Sequence, residues 1–528
     1  MSETEKPANI GTRAAAGAAL MVVARLTTRL IDLGSMLVLT RILLPADFGL
    51  VAIAASLCAL MESVLELPIN QALLRLPVIE RAHYDTAFTI GLIRGGVLTG
   101  ILGACAIPAA HFYHDARLAP LIFFLSFSPF MRGIMSPRMA AFQKQLSFWR
   151  DFAIELSGKG ISFVFGTALA ILTHSYWALA FSTVMYSGAM MAQSYSFAPY
   201  RPRLSLRELS VFSGFAGWMT VAQIVSALNW QFERLLLGKV VNRSALGLFA
   251  TAGDITNIPF FALFGPMARP VMAAFAHVGD DRERLAASYQ KASVAMATVG
   301  LPLLIGESLV SDSTVRVVVG ANWAGAGPMV HWLALSLTPA VFTLASYPLL
   351  MAFGRTKTIL RRNLLEFAVK LPLVVAGVLW AGFWGVIAAR FVSEFASNIY
   401  GLFLVRGLTG LSVRHQILGW KRSVGASVVM VLAVEGLKRL LPPADTLGHA
   451  AAGLMACGAV GACAYAGALL ALWSVARRPD GIERLVVDRM GHALVIIRTK
   501  TAGMFRKAAP AGIQGTDLSA PVGDYRNQ

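Results

Sequence analysis

Charge is scarce in this chain of 528 residues: Asp, Glu, Lys and Arg together make up 14% of it, against 56% hydrophobic residues. Soluble domains carry about a quarter of their residues charged, so a soluble enzyme or a nucleic-acid-binding domain is excluded. Mean hydropathy is +0.63, the value of a chain whose solvent is largely lipid. Acids are scarcer than bases, 28 against 46, which leaves a net charge of +18. Cysteine is nearly absent. Cys58, Cys105, Cys457 and Cys463 all fall in apolar segments, with neither a disulfide framework nor metal-ligand spacing. No Asp-x-Asp occurs, no His, Asp and Ser set converges, and the links on the predicted outer side are short. A membrane-embedded glycosyltransferase or polymerase is therefore the weaker alternative, and neither an enzyme nor a bound cofactor is expected.

What fills the chain is a succession of apolar segments near the roughly 20 residues that a helix needs to cross a bilayer. They lie at 16–38, 47–69, 86–109, 119–141, 152–173, 176–198, 212–237, 246–273, 288–310, 326–352, 361–381, 384–405, 422–441 and 449–475, fourteen predicted spans in an all-α integral membrane fold. An even number puts both termini on one side. Lys and Arg concentrate in alternate links, clearest in Arg201–Arg207 and Gly354–Arg362, so those links and both termini are expected in the cytoplasm. The net charge then reports topology rather than nucleic-acid binding. The first segment is too long and too interrupted by Arg25, Arg29 and Asp32 for a cleaved signal.

The stretch Leu39–Leu57, LTRILLPADFGLVAIAASL, breaks its apolar run with Arg41, Pro45 and Asp47. Proline suits a helix start and aspartate the positive end of a helix dipole, so the spacing predicts a turn followed by re-entry, and a hinge. Arg234–Ile255 repeats it at an offset of 198 residues: Arg41 aligns with Lys239, and Phe48-Gly49-Leu50 with Leu246-Gly247-Leu248. Six spans separate the two copies, which preserves orientation and predicts two parallel, pseudo-symmetric six-helix lobes. The organisation expected is a cytoplasmic N-terminus over 1–15, an N-lobe over 16–200, a linker over 201–210, a C-lobe over 211–405, two further spans within 406–476, and a basic tail over 477–528 that begins as an interfacial helix and ends without order.

Ionisable residues inside spans are costly and normally face a bundle interior or a wet cavity. Arg25, Arg29 and Asp32 share one face of the first span. Glu155 with Lys159, Glu366 with Lys370, and Arg390 with Glu394 stand one helical turn apart and are read as self-contained ion pairs. Glu62 and Glu66 share a sign and need a cation, which Arg94 or Arg132 can supply. The surplus of Arg25, Arg29, Arg94 and Arg132 predicts a wet cleft that receives an anion, since a guanidinium fork matches phosphate or carboxylate. Asp32, Glu62 and Asp254 are the candidates for coupling to a proton or sodium ion. Trp218, Trp230, Phe260, Phe261 and Phe264 read as packing and interface belt.

Several local motifs resemble one family. Leu39–Ala54 is similar to the signature of the Wzx-like polysaccharide flippases, in the multidrug/oligosaccharidyl-lipid/polysaccharide exporter superfamily. Pro137–Arg150 resembles that family's inner loop after the fourth span, Gly320–Leu335 its segment before the tenth, and Phe353–Lys357 the inner turn that follows. The resemblance implies a V-shaped bundle of two lobes with alternating access, coupled to an ion gradient. It implies flipping of an undecaprenyl-pyrophosphate-linked oligosaccharide across a bacterial inner membrane for exopolysaccharide, O-antigen or capsule synthesis, beside polymerase and chain-length proteins. None of these motifs carries a catalytic residue. Peptidoglycan-precursor and drug exporters of the superfamily share the architecture, although a drug exporter wants acids in its cleft. Two lobes in one chain suffice for transport, so a monomer is expected.

Overall fold

The computed structural model describes residues 27–66, 69–145, 149–213, 218–279, 281–442 and 446–476. In order, the helices are α1 (27–42), α2 (Pro45–Val64), α3 (Ile69–Arg75), α4 (Arg81–Tyr113), α5 (Leu118–Leu125), α6 (Phe127–Gly133), α7 (Met139–Lys144), α8 (Trp149–Thr173), α9 (Trp177–Phe197) and α10 (Leu209–Ser213). They continue as α11 (Trp218–Val240), α12 (Arg243–Val278), α13 (Arg282–Leu309), α14 (Ser311–Val318), a 3₁₀ turn (Ala321–Ala326), α15 (Gly327–Phe342), α16 (Ser346–Ala352), α17 (Thr356–Thr409), α18 (Val413–Gly419), α19 (Lys421–Lys438) and α20 (Leu447–Val475). No strand occurs among the described residues. In hydrocarbon no water is available to satisfy a backbone N–H or C=O, and a helix satisfies them within one segment.

The described parts of the predicted spans are mostly helical, with breaks inside 119–141 and 326–352; residues before 27 in the first span, 67–68 in the second and 214–217 in the seventh lie outside the described residues. By length and apolarity, seven described helices can cross a membrane, or nine if each of two bent pairs is one span. The chain is thus an all-helical, multi-pass membrane protein. The predicted break between 381 and 384 is a sharp reversal inside α17, where Ala381 and Gly382 leave helical geometry and Gly382 takes φ +56°. The two arms meet at Gly377 and Gly385, so closely that a Cβ on Gly385 would lie 1.9 Å from the Gly377 carbonyl oxygen. Small residues let helices approach where lipid removes the usual hydrophobic drive.

Contacts divide the chain into Met1–Leu469 and Leu470–Gln528. Of the second unit only 470–476 is described, the end of α20; the predicted tail lies outside the described residues, as does the predicted N-terminus. Within the first unit, the two copies of the sequence repeat meet. Leu44 and Asn242, 198 residues apart, precede the first residues of α2 and α12. The Asp47 carboxylate accepts from the Leu44 N–H at 3.0 Å, and the Asn242 side chain accepts from the Ala245 N–H at 2.7 Å. Pro45 occupies the start of α2, where no N–H is required. A Cβ on Gly49 would lie 1.9 Å from the Arg243 carbonyl oxygen, and one on Gly247 would lie 1.8 Å from that of Pro45. These contacts are reciprocal: Pro45 and Arg243, like Gly49 and Gly247, stand 198 residues apart, the mark of a pseudo-two-fold axis between α2 and α12.

Further bonds brace this end. Trp323, fully buried, donates from Nε1 to the Thr40 carbonyl at 2.8 Å and sets its ring edge-on to Phe48 with centroids 4.9 Å apart. Arg41 donates to the Val317 carbonyl at 3.1 Å, while its repeat counterpart Lys239 donates to the Phe112 carbonyl. Tyr113 donates to the Leu235 carbonyl at 3.1 Å, and Arg243 donates to the carbonyls of Tyr113 and Gly238 at 2.7 and 2.6 Å. The turn expected to act as a hinge is therefore packed and braced across the repeat.

Candidate substrate cleft

Between α1 and α12 lies a cavity of about 380 Å³ lined by Arg29, Asp32 and Met36 of α1, Phe48 of α2, and Thr251, Asp254, Asn257, Ile258 and Phe261 of α12. The two halves thus face one another across it. Helical spacing of three carries Arg29 and Asp32 to one face, with Arg29 Nη1 3.5 Å from Asp32 Oδ2. Lys159 of α8 pairs with the other oxygen of Asp32. On the facing wall Arg234 of α11 holds Asp254 at 2.7 Å. Five charges therefore meet here, three cationic and two anionic, and the basic surplus persists after pairing. Arg25, the other arginine assigned to this face, lies outside the described residues.

Arg94 and Arg132 gather elsewhere. Arg132 pairs with the Glu62 carboxylate, and Arg94 donates to the Glu62 carbonyl at 3.2 Å. The expected need of the Glu62 and Glu66 pair for a cation is met at Glu62, and the two arginines are not among the residues lining the α1–α12 cavity. Arg94 Nε remains buried without a hydrogen-bond partner.

The three pairings expected from one-turn spacing are redirected. Lys159 goes to Asp32, while Lys370 and Arg390 both go to Glu233 of α11, at 2.7 and 3.4 Å. Glu233, Lys370 and Arg390 are all buried. The Glu233 carboxylate reaches both cations because α11 packs against α17, while Glu394 stays close enough to share their field. Glu233 and Arg234 are not among the site residues expected from sequence, although two adjacent charges in a predicted span are the signal that exposes them. Glu307 of α13 was also missed; both its carboxylate oxygens are buried with no hydrogen-bond partner. Of the aromatics, Phe260 and Phe264 are core, and Trp230 meets Phe261 at 5.5 Å beside the cavity; the Trp218 side chain is outside the described set.

At the braced end, the link between α4 and α5 carries a shifted acid, Asp115. Hydrogen bonds from Arg117, with a further one from Arg243, hold the Asp115 carboxyl below the usual carboxylate range.

A paired helical repeat around a charged cleft defines a membrane transporter fold. Solved structures agree: the inward closed conformation of the lipid II flippase MurJ superposes with a TM-score of 0.67 at 14% identity, covering 87% of this chain and all of that one. A multidrug resistance MATE transporter of the MOP superfamily, inward-facing, gives 0.54 at 13% identity over 74% of this chain and 98% of its own. At such identities the likeness is one of fold. Residues 38–328 match the family of polysaccharide biosynthesis proteins, and the chain belongs to it. The lipopolysaccharide biosynthesis protein WzxC of Escherichia coli K12 is 24% identical over 404 residues, 74% of this chain and 81% of WzxC. The succinoglycan biosynthesis transport protein ExoT of Rhizobium meliloti is 22% identical over 307 residues, 57% of this chain, and the match spans 62% of ExoT.

Proposed function

We propose that this protein is a flippase that moves an undecaprenyl-pyrophosphate-linked oligosaccharide across a bacterial inner membrane, for assembly of a surface polysaccharide. The observation that carries the reading is the α1–α12 cavity, where Arg29 and Lys159 hold one acid between them and two repeats face each other. A pyrophosphate head with its sugar cannot cross hydrocarbon unaided. Arg29, joined by Arg25, binds the pyrophosphate by drawing Arg29 away from Asp32, while the polyprenyl chain stays in lipid. Arg94 and Arg132 extend the cationic path. The braced turns belong to the state closed toward the outer leaflet, and their release exposes the cleft on the other side. Loading Asp32, Asp254 or Glu62 with a proton or sodium ion frees its arginine or lysine partner, which couples ion movement to substrate binding. Both termini are cytoplasmic, the unit is a monomer, and polymerase and chain-length proteins receive its product. The names of the relatives concern transport and biosynthesis of polysaccharide, and this chain is read as a transporter rather than a catalyst.

The test is transbilayer movement of an undecaprenyl-pyrophosphate oligosaccharide in vesicles containing the purified protein, against Arg25→Ala plus Arg29→Ala. Wild type flips the lipid and the folded double variant loses at least about tenfold in rate, the equivalent of about 1.4 kcal/mol. Equal rates remove the arginines from the site. If neither protein moves lipid while a sugar polymer lengthens, a polymerase replaces the flippase.

A further inference from the structure

A larger cavity than the cleft, about 670 Å³, lies where the start of α4, the turn between α6 and α7, the end of α9 and the chain after it converge. Arg81, Arg138 and Arg201 line it together with Tyr84, Tyr195 and Tyr200. Three exposed guanidinium groups lining one cavity together attract an anion to it. No acid lines the cavity, and Asp85 beside it is already engaged: Tyr200 donates to its Oδ1 at 2.6 Å and Arg81 Nε stands 3.9 Å from Oδ2. Burial and that bond into Asp85 keep the Tyr200 phenol well above its ordinary range, so it stays a neutral donor. Arg138 gives one of its five N–H groups to the Pro199 carbonyl at 2.7 Å, and Arg201 forms no ion pair with any described residue. The walls are tied down. Tyr195 donates to the Ile134 carbonyl at 2.8 Å, the Ser205 N–H to Thr89 Oγ1 at 2.9 Å and the Glu208 N–H to Thr86 Oγ1 at 3.3 Å, which pins the linker along α4.

We propose that this cavity is a phosphate-binding site, separate from the transport cleft, that takes the phosphate ester headgroup of a small molecule or lipid. Forks carried on three separate segments can reach the several oxygens of a tetrahedral phosphate, more than one planar carboxylate offers. The volume accommodates a phosphate with a glycerol- or sugar-sized substituent, for which the phenol rings provide flat walls. Bound phosphate would join α4, the α6–α7 turn and the inter-lobe linker through one ion, and so stiffen the linker against the first half. The site does not depend on the flippase reading, because its test reads binding and not transport.

The experiment uses the full chain in detergent, with native mass spectrometry to count retained lipid and thermal unfolding to read stabilisation. The probes are phosphatidylglycerol, with zwitterionic, net-neutral phosphatidylcholine as the control for net headgroup charge, and glycerol 1-phosphate as the soluble source. The variants are Arg81→Gln plus Arg138→Gln plus Arg201→Gln, and Arg201→Gln alone, which removes no bond of the fold. Retention of phosphatidylglycerol is expected to fall about tenfold in the triple variant and about threefold in the single one. Glycerol 1-phosphate that competes off the lipid or stabilises wild type alone assigns a soluble ligand; lipid retention untouched by it assigns a membrane headgroup. If both variants bind both probes as wild type does, the arginines are solvated interface charges and the site does not exist. Should the triple variant not fold, an unchanged Arg201→Gln is sufficient to overturn the proposal.

Discussion

Glu233 shows how far a single buried charge reaches. It pairs with both Lys370 and Arg390, so Glu233→Ala deprives two buried cations of a shared partner. Removing one member of a buried network costs about 3–5 kcal/mol, and the thermal midpoint in detergent should drop accordingly, whereas Glu435→Ala, at an exposed pair with Lys438, should change stability by less than about 0.5 kcal/mol and leave the midpoint nearly unmoved. Glu307 is the converse. Neither of its oxygens has a hydrogen-bond partner within the distance of a normal bond, so Glu307→Leu is expected to raise stability by about 1–3 kcal/mol, the cost of an unsatisfied buried polar group, and the midpoint with it; a lower midpoint would show that the carboxyl has a partner. One-turn spacing made Glu366–Lys370 and Arg390–Glu394 legible as pairs in the sequence. It could not reveal Glu233 as their rival, since the separations of 137 and 157 residues close only when α11 packs on α17.

At the scale of elements, the braced turns depend on missing side chains. A Cβ on Gly49 meets a backbone oxygen that cannot swing away, so Gly49→Ala forces α2 from α12 and should cost about 1–3 kcal/mol. Gly100 has open space around it, and Gly100→Ala should stabilise its helix by up to about 1 kcal/mol. Opposite signs from the same chemical change, read in one melting series, isolate the close approach from propensity. The same end carries a pH dependence. Asp115 titrates lower in the folded than in the unfolded chain, where its value is near 3.8, so its contribution is complete above that value and is lost as pH falls through the folded value. Wild type should therefore lose stability on acidification below about pH 4. Asp115→Asn should begin less stable at pH 7 and lose less over the same interval; parallel curves would mean the carboxylate contributes nothing.

For the whole molecule, the reading predicts one-sided access. With the four native cysteines replaced, a cysteine at Ile258 in the cleft should react with a membrane-impermeant thiol reagent from the cytoplasmic side, and little from the outside, while the brace holds. Gly49→Ala in that background should increase labelling from the outside. Outside labelling as fast as inside in the unmodified brace would remove the assignment of the turns as the closed end.

The sequence by itself determined a multi-pass helical protein, the places where its segments turn, and the 198-residue repeat, because each rests on local composition: apolar length, Pro45 and Asp47 at a helix start, small residues recurring at matched positions. It also brought Arg29, Asp32 and Asp254 forward, because a charge inside an apolar segment is visible without a structure. Only the tertiary structure decided which charges meet. Asp32 takes Lys159 from another helix, Glu62 takes Arg132, and Arg81, Arg138 and Arg201 share one cavity although 120 residues separate the first from the last. Coulomb energy in a low-dielectric interior depends on distance through space, and distance through space is set by how helices pack, which no local pattern encodes.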